Sequence, residues 1–395
     1  MNIPFFRPSI SQEEIDEVVE CLQSGWLTTG PKAKRFEVEF AKYVGAKHAV
    51  ALNSATAALH LALDAIGLQR GDAVLVPTMT FAATAEVVRY FDAKPLLVDC
   101  QEEDFNIDCR RARVAASAAK ANGERVRAII PMHYGGQVVD MVGVRELASE
   151  FGLAVIEDAA HCCPAAYREN AGLPWRGVGS ESDVACYSFY ANKCITTGEG
   201  GMACTNDDAL AERMRVMSLH GISKDAWKRF TAEGSWYYEI VAPGFKYNLT
   251  DIAAAIGIHQ LRKADAFRAE RARVAARYRE LLGGVEEILL PSEHPDRRHS
   301  WHLFPIRLRL DRLTVDRAAV IDVLKGAGIG TSVHWMPLHM HPYYRQTYGY
   351  RLEDFPVSSR LYPEMISLPI YPSMSDAEVA TVSETLKALV ARSRC

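Results

Sequence analysis

Through the first two thirds of the chain, apolar runs about five residues long alternate with longer stretches whose apolar positions recur every third or fourth residue. The short runs predict strands at His48 to Leu52, Ala73 to Val76, Pro95 to Val98, Arg127 to Pro131, Leu153 to Glu157, Val184 to Phe189 and Gly201 to Thr205. Helices are predicted among the first five of these, at Thr56 to Ile66, Ala82 to Tyr90 and Asp140 to Phe151. Ala154-Val155-Ile156 is apolar without alternation, as expected of a strand buried on both faces. Strand alternating with helix predicts a mainly parallel sheet with helices on both sides.

Two helices precede the first strand. Ser11 and Glu14 make a capping-box pattern, and Gly25 closes that helix. Pro31 opens a second helix that stops at Gly45. From Asn248 the pattern changes. Thr250 to about Leu282 reads as one long helix, with Ala253, Ala254 and Ala255 near its start. Trp301 to Leu310 and Gly330 to Trp335 read as strands around a helix from Thr314 to Ala327. Gly326-Ala327-Gly328-Ile329-Gly330 ends a helix rather than joining a strand to one, so it reads as a cap and turn, not a dinucleotide site. The predicted class is α/β. A large domain covers residues 1–250, with its helical segment at the N-terminus. Residues 251–395 supply a long connecting helix and a smaller α+β domain.

Composition narrows the function. The chain has 395 residues, 49% hydrophobic and 24% charged, with 45 basic against 49 acidic residues and a net charge of −4. That is enough for two cores, and without a basic stripe it argues against nucleic acid. No apolar run reaches membrane-spanning length, and Met1 to Pro8 lacks a secretory signal, so a cytoplasmic protein with no membrane partner is expected. Nine irregularly spaced cysteines read as reduced, buried thiols. His161-Cys162-Cys163, His299 with His302, and His339 with His341 lack metal-ligand spacing, so no metal is expected.

The chemistry gathers where strands end. Lys193 stands just past the run Val184 to Phe189 and before Gly198-Glu199-Gly200-Gly201, a place to hold an amine at a cleft edge. Asp158 and His161 follow another buried strand, at the edge where open α/β sheets bind ligands. Asp158 suits a pyridinium nitrogen, or else caps a helix. His161 reaches the ring or its phenolic oxygen, or is a satisfied histidine. Ala55 and Thr56 lie in Asn53-Ser54-Ala55-Thr56-Ala57, which joins a strand to a helix, either as an anion cradle or as an ordinary cap. Phe81 sits at another such junction and reads first as a core residue, second as a face for a planar ring. Ser188 can donate to a phosphate. A lysine for an aldehyde and an aspartate for a ring nitrogen are what pyridoxal phosphate requires.

Several longer strings carry a resemblance. Ser24-Gly25-Trp26-Leu27-Thr28-Thr29-Gly30-Pro31-Lys32, Glu157-Asp158-Ala159-Ala160-His161, Ser188-Phe189-Tyr190-Ala191-Asn192-Lys193, Gly198-Glu199-Gly200-Gly201 and Lys246 to Gly257 are similar to motifs of the DegT/StrS sugar aminotransferases, from about Arg7 to Pro372. The resemblance implies the aspartate aminotransferase fold (fold type I), with a seven-stranded mixed sheet. It implies that Lys193 binds pyridoxal 5'-phosphate as a Schiff base and that Asp158 pairs with the ring nitrogen. His161 then sits at the phenolic oxygen, Phe81 stacks on the ring, and Ala55, Thr56 and Ser188 hold the phosphate. Asn248 reaches that phosphate from the neighbouring subunit of a homodimer with shared active sites.

By the same resemblance L-glutamate is the donor, leaving 2-oxoglutarate and pyridoxamine 5'-phosphate. The acceptor is a nucleotide-linked keto-sugar, foremost a 4-keto-6-deoxyhexose, for amino sugars of surface polysaccharide (lipopolysaccharide O-antigen included), glycan or antibiotic. Thr28, Lys32 and His334 are expected to contact it, Lys32 being either a charge for the diphosphate or a solvated helix lysine. Relatives with histidine in place of the lysine dehydrate instead, so Lys193 favours amino transfer. Ala55, Cys162-Cys163-Pro164 and a long Tyr167 to Gly179 segment depart from the usual pattern. A 3-keto-sugar, a keto-cyclitol, a non-catalytic cofactor-binding regulator and a ligand-free structural dimer stay open as alternatives.

Overall fold

A computed structural model describes residues 2–222 and 238–395. The chain opens with α1 (Gln12–Ser24) and α2 (Pro31–Val44). The next elements are β1 (His48–Leu52), α3 (Ala55–Ala65), β2 (Asp72–Pro77), α4 (Ala82–Arg89), β3 (Lys94–Val98), α5 (Cys109–Ala121), β4 (Arg125–Ile129), α6 (Met141–Phe151) and β5 (Ala154–Asp158). β6 (Ala166–Tyr167), β7 (Arg176–Gly177), β8 (Val184–Ser188), β9 (Gly201–Thr205) and α7 (Asp208–Ser218) follow. After α8 (Asp251–Leu282) come β10 (Ile288–Leu289), β11 (Arg297–Arg298), β12 (Phe304–Leu308), α9 (Arg317–Gly326), α10 (Pro342–Tyr348), α11 (Pro356–Leu361), β13 (Met365–Leu368) and α12 (Asp376–Arg392).

The main sheet has seven strands in the order β1-β9-β8-β5-β4-β2-β3. β3, β2, β4, β5 and β8 run parallel, and β9 alone runs against its neighbours β8 and β1. The C-terminal ends of β1, β2, β5 and β8 therefore meet the start of β9 along one edge. Two apolar layers cover the sheet. One holds Phe36, Phe40, Tyr187 and Phe189, and the other holds Leu59, Leu63, Val76 and Ile156.

The C-terminal part has its own core of Phe304, Ile306, Ile366, Leu368, Val379 and Leu386 around the antiparallel sheet β10-β12-β13. The long segment after Tyr167 builds a third small sheet, β11-β6-β7. There Trp175 lies between the guanidinium groups of Arg168 and Arg298, at 4.6 and 4.2 Å from its ring.

Capping explains the helix entries. The Ser11–Glu14 box opens α1, and Lys263, Ser11 and Gln260 overcome burial to pull the Glu14 carboxyl down to about 2. α2 starts after Gly30, which has no side chain to cap it. Asp251, at the start of α8, supplies the cap by accepting from the N–H groups of Gly30, Lys32 and Ala33 at 2.7, 3.0 and 2.9 Å.

Two expected elements differ. Gly330 to Trp335 is not a strand. Ser332 pairs with Ser367, whereas Ile329 pairs with Ile3, so the backbone divides its hydrogen bonds between two partners and builds no ladder. The Trp301 to Leu310 strand is shorter, at Phe304–Leu308, because Trp301 turns the chain at φ 52°. The cap of α3 is Ser54, whose hydroxyl accepts from the Ala57 N–H at 3.1 Å, rather than Thr56. Among the described residues no helix is long and apolar enough to cross a membrane, and no cluster of three or more His, Cys, Asp or Glu is placed to hold a metal ion. All nine cysteines are free thiols, and only Cys395 is exposed.

Candidate active site

Asp158 ends β5 with its carboxylate buried. Oδ2 accepts from the Thr84 hydroxyl at 2.7 Å, and Oδ1 from the Ala160 N–H at 3.1 Å. Thr84 also lies 2.6 Å from the Thr80 hydroxyl. Because the proton of Thr84 is committed to Asp158, Thr80 is the donor in that contact. Burial pushes the Asp158 carboxyl above its ordinary range, against the pull of Thr84, Ala160 and Lys193. β5 carries the neighbouring Glu157 on its opposite face. There Glu157 accepts from His133 Nε2 at 2.8 Å and from the Gly179 N–H at 3.0 Å.

Lys193 sits in a turn after β8, its N–H donating to the Tyr190 carbonyl at 2.9 Å. Burial lowers its amine from the ordinary 10.5 to about 8, and Asp158 opposes the change. The same ammonium depresses three histidines after burial has done so: His161, His302 and His334. The sheet edge and the small-domain loops thus converge on one amine.

His161 has a fixed tautomer. Its Nδ1 accepts from the Gly135 N–H at 3.1 Å, so a neutral ring carries its proton on Nε2. Burial holds that ring neutral. It lies 4.2 Å from His302 and is stacked at 5.1 Å on Trp335. Trp335 stands 6.3 Å from Phe81 and meets Tyr134 and His334 edge-on at 5.8 and 5.4 Å. Phe81 is not a core residue, being 58% exposed. It precedes α4, whose Ala83, Ala85, Val87 and Val88 fill the core instead.

The anion cradle is built by close backbone approach. Ser188 pairs with Gly201 across β8 and β9. A Cβ on Gly201 would fall 2.3 Å from the Ser54 carbonyl carbon and 2.6 Å from the Ala55 nitrogen, so only glycine lets β9 lie against the start of α3. Ala55 and Thr56 are the first residues of that helix, whose leading N–H groups have no intrahelical partner. Ser188, Ala55 and Thr56 thereby share one corner.

The remaining predicted residues are Asn248, whose backbone pairs with Leu52 at the end of β1, and Thr28, Lys32 and His334. Asn248 donates to Thr29 Oγ1 at 2.7 Å and accepts from the Lys246 ammonium. Thr28 is exposed, its carbonyl accepting from the Asp251 N–H at 3.0 Å. Both belong to the loop pair anchored on Asp251. The Lys32 ammonium is held by Glu17 and Glu20, so it is neither free for a diphosphate nor simply solvated. His334 lies over the site with Nδ1 2.9 Å from Ser367 Oγ, and burial with Lys193 lowers it to about 4. Thr80, Thr84, Tyr134 and Trp335 were not singled out from the sequence, and His302 was weighed there only as a metal ligand. Only Thr80 and Thr84 had a signal there, as hydroxyls in the same strand-to-helix junction as Phe81.

A cofactor suited to this corner must offer an aldehyde to an amine, a basic ring nitrogen to a buried carboxyl and an anion to a helix start. Those are the demands of pyridoxal phosphate, and the residues present fit it. The class is a pyridoxal-phosphate-dependent transaminase. A match to the DegT/DnrJ/EryC1/StrS aminotransferase family spans residues 8–387. The spore coat polysaccharide biosynthesis protein SpsC of Bacillus subtilis is 44% identical over 98% of this chain and 97% of its own. Spr1654 of Streptococcus pneumoniae, solved in both a PLP and a PMP form, superposes in the latter with a TM-score of 0.88 at 31% identity, over 99% of this chain and 98% of that one. Helicobacter pylori PseC, an aminotransferase involved in the biosynthesis of pseudoaminic acid, gives 0.88 at 25% identity over 99% and 100%. The chain belongs to the DegT/DnrJ/EryC1/StrS aminotransferase family. It is a sugar aminotransferase of polysaccharide or sugar biosynthesis, taking a sugar and an amino-acid donor.

Proposed function

We propose that this enzyme transfers the amino group of L-glutamate to a nucleotide-linked 4-keto-6-deoxyhexose, releasing 2-oxoglutarate and an amino sugar. The observation that carries the reading is the desolvated Lys193 amine facing Asp158 and three neutral histidines at one sheet edge. The sugar acceptor is supported by Spr1654, a putative sugar aminotransferase, and by SpsC, of spore coat polysaccharide biosynthesis.

When bound, pyridoxal phosphate supplies the electron sink and carries the amino group between the two half-reactions. The protein does the rest. Lys193 Nζ, with a substantial neutral fraction near pH 8, takes the proton from the α-carbon of glutamate and delivers one to the former carbonyl carbon of the sugar. Asp158 keeps a proton on the ring nitrogen, braced by Thr84 and Ala160. His161 Nε2–H would donate to the phenolic oxygen. Phe81 would cover the ring, and Ala55, Thr56 and Ser188 would hold the phosphate. Asn248 of the partner subunit completes that anchor in a cytoplasmic homodimer. Thr28 and His334 line the way to the sugar.

The test is spectroscopic. Glutamate should bleach the visible band of the purified enzyme. UDP-, dTDP- and GDP-linked 4-keto-6-deoxyhexoses, a 3-keto-sugar nucleotide and a keto-inositol are then offered in turn. Return of the band with a 4-keto-sugar nucleotide supports the reading, whereas return only with one of the other two overturns it. Lys193→Ala should abolish turnover.

A further inference from the structure

The first residues of the chain pack against His334, one of the three histidines around Lys193. Ile3 is fully buried and lies parallel to Ile329. Its N–H donates to the Gly328 carbonyl, and its carbonyl accepts from the Gly330 N–H, both at 2.8 Å. The contact is close enough that a Cβ on Gly330 would lie 2.6 Å from the Phe5 nitrogen. The strap then lays the Phe5 ring on His334, with centroids 5.5 Å apart and planes 25° from parallel. Beyond it, the Arg7 guanidinium sits 5.5 Å over the Tyr371 ring, and Gln260 of α8 donates to the Ser9 carbonyl at 2.7 Å. The strap is therefore anchored on both sides of Phe5.

His334 is gripped from three directions that share no sequence neighbourhood. Phe5 covers one face, Ser367 of β13 holds Nδ1 at 2.9 Å, and the Tyr134 hydroxyl, from the large-domain side, donates to the His334 carbonyl. Trp335, the next residue, stacks on His161. His334 and Trp335 are adjacent and meet edge-on at 5.4 Å, so the dipeptide joins the Phe5 stack on one side to the His161 stack on the other.

We propose that Phe5 is a positioning residue for the sugar half-reaction: through the N-terminal strap it fixes the His334 imidazole, and hence the Trp335 wall, at the acceptor side of Lys193. The inference rests on the reading of His334 as an acceptor contact. The stack is worth what an aromatic pair is worth, so its removal should weaken acceptor binding by about three- to tenfold without touching the amine chemistry.

The experiment uses full-length holoenzyme carrying Phe5→Ala, Phe5→Tyr or His334→Ala. The acceptor is whichever keto-sugar nucleotide restores the visible band fastest in the panel above. Each half-reaction is followed separately, and the His334 ring is titrated by NMR. The expected result is that Phe5→Ala raises acceptor KM about three- to tenfold and leaves the glutamate half-reaction within about twofold. The His334 midpoint should move up as its ring is exposed, because burial is the first cause of its depression, and Phe5→Tyr should restore both values. If Phe5→Ala leaves acceptor KM unchanged while His334→Ala raises it, the strap proposal falls and the acceptor reading stands. If Phe5→Ala slows both half-reactions equally, its role is merely structural and the proposal is overturned. If His334→Ala leaves acceptor KM unchanged, the acceptor reading of His334 fails and the strap proposal with it.

Discussion

Lys193 in the cofactor-free protein offers the most direct test of the site's electrostatics. Its amine falls from 10.5 to about 8, with burial as the cause and Asp158 as the opposing influence. Near pH 7.5 an amine of that pKa is roughly a quarter neutral, against about 0.1% for an ordinary lysine, so the reactive form is enriched roughly 200-fold. The same shift bears on folding. A depressed lysine pKa means that the folded chain binds fewer protons than the unfolded chain between about pH 8 and 10.5, so stability should rise with pH across that window. Below about pH 8 the full penalty of about 3 kcal/mol is present. Lys193→Met keeps an unbranched apolar stem and removes the charge. Cofactor-free Lys193→Met should therefore resist urea better than wild type at pH 7, by up to about 3 kcal/mol, and the advantage should shrink by pH 10. Competitive acetylation of wild type, read on the Lys193 peptide, should give a midpoint near 8, and Asp158→Asn should lower it further. A midpoint near 10, or a Lys193→Met protein less stable than wild type at pH 7, would refute the desolvation argument.

Other perturbations test the frame around that amine. Thr84→Val removes a charge-assisted hydrogen bond of 2.7 Å to Asp158, so titration of cofactor-free protein with pyridoxal phosphate should show affinity lower by about tenfold or more. Gly201→Ala forces a methyl into the backbone of Ser54 and Ala55; the purified protein should be colourless and melt earlier, as absorbance and calorimetry will show. Glu157→Leu strands the buried His133 Nε2–H and Gly179 N–H, and urea unfolding should report a loss of about 3 kcal/mol.

How much of this was legible in the sequence depends on where each residue gets its partners. The seven strands of the main sheet could be read because each carries a short apolar stretch that must be buried whatever lies beside it, even β4, whose Arg125 and Arg127 precede the buried Ala128 and Ile129. Asp158, Lys193, Ala55 and Ser188 stand at the ends of such runs, so the sheet alone carries them to one edge. Trp335 and His302 arrive on loops of the small domain, and nothing near them in the chain says that they meet His161. Gly330 to Trp335 looked like a strand because its apolar residues favour one, yet its backbone partners are Ile3 and Ser367, hundreds and tens of residues away. Lys32 read as free because its two carboxylates lie on α1, and only the packing of both α1 and α2 on α8 brings them together. Phe81 read as core because phenylalanine usually is. Its position one residue before α4 turns it outward instead.

α8 runs unbroken for 32 residues, about 48 Å. At its first turn Asp251 holds the loop that carries Thr28 and Thr29, and twenty residues on Arg271 holds the carbonyls of Trp301, His302 and Ile370. The helix is thus a ruler whose phase matters as much as its length. One residue inserted between those two grips would swing Arg271 about 100° around the axis and advance it about 1.5 Å. It would uncouple the loop at one end from the histidine wall at the other, even if every side chain survived. Insertions and deletions should accordingly be purged from this stretch during evolution and from any engineered library.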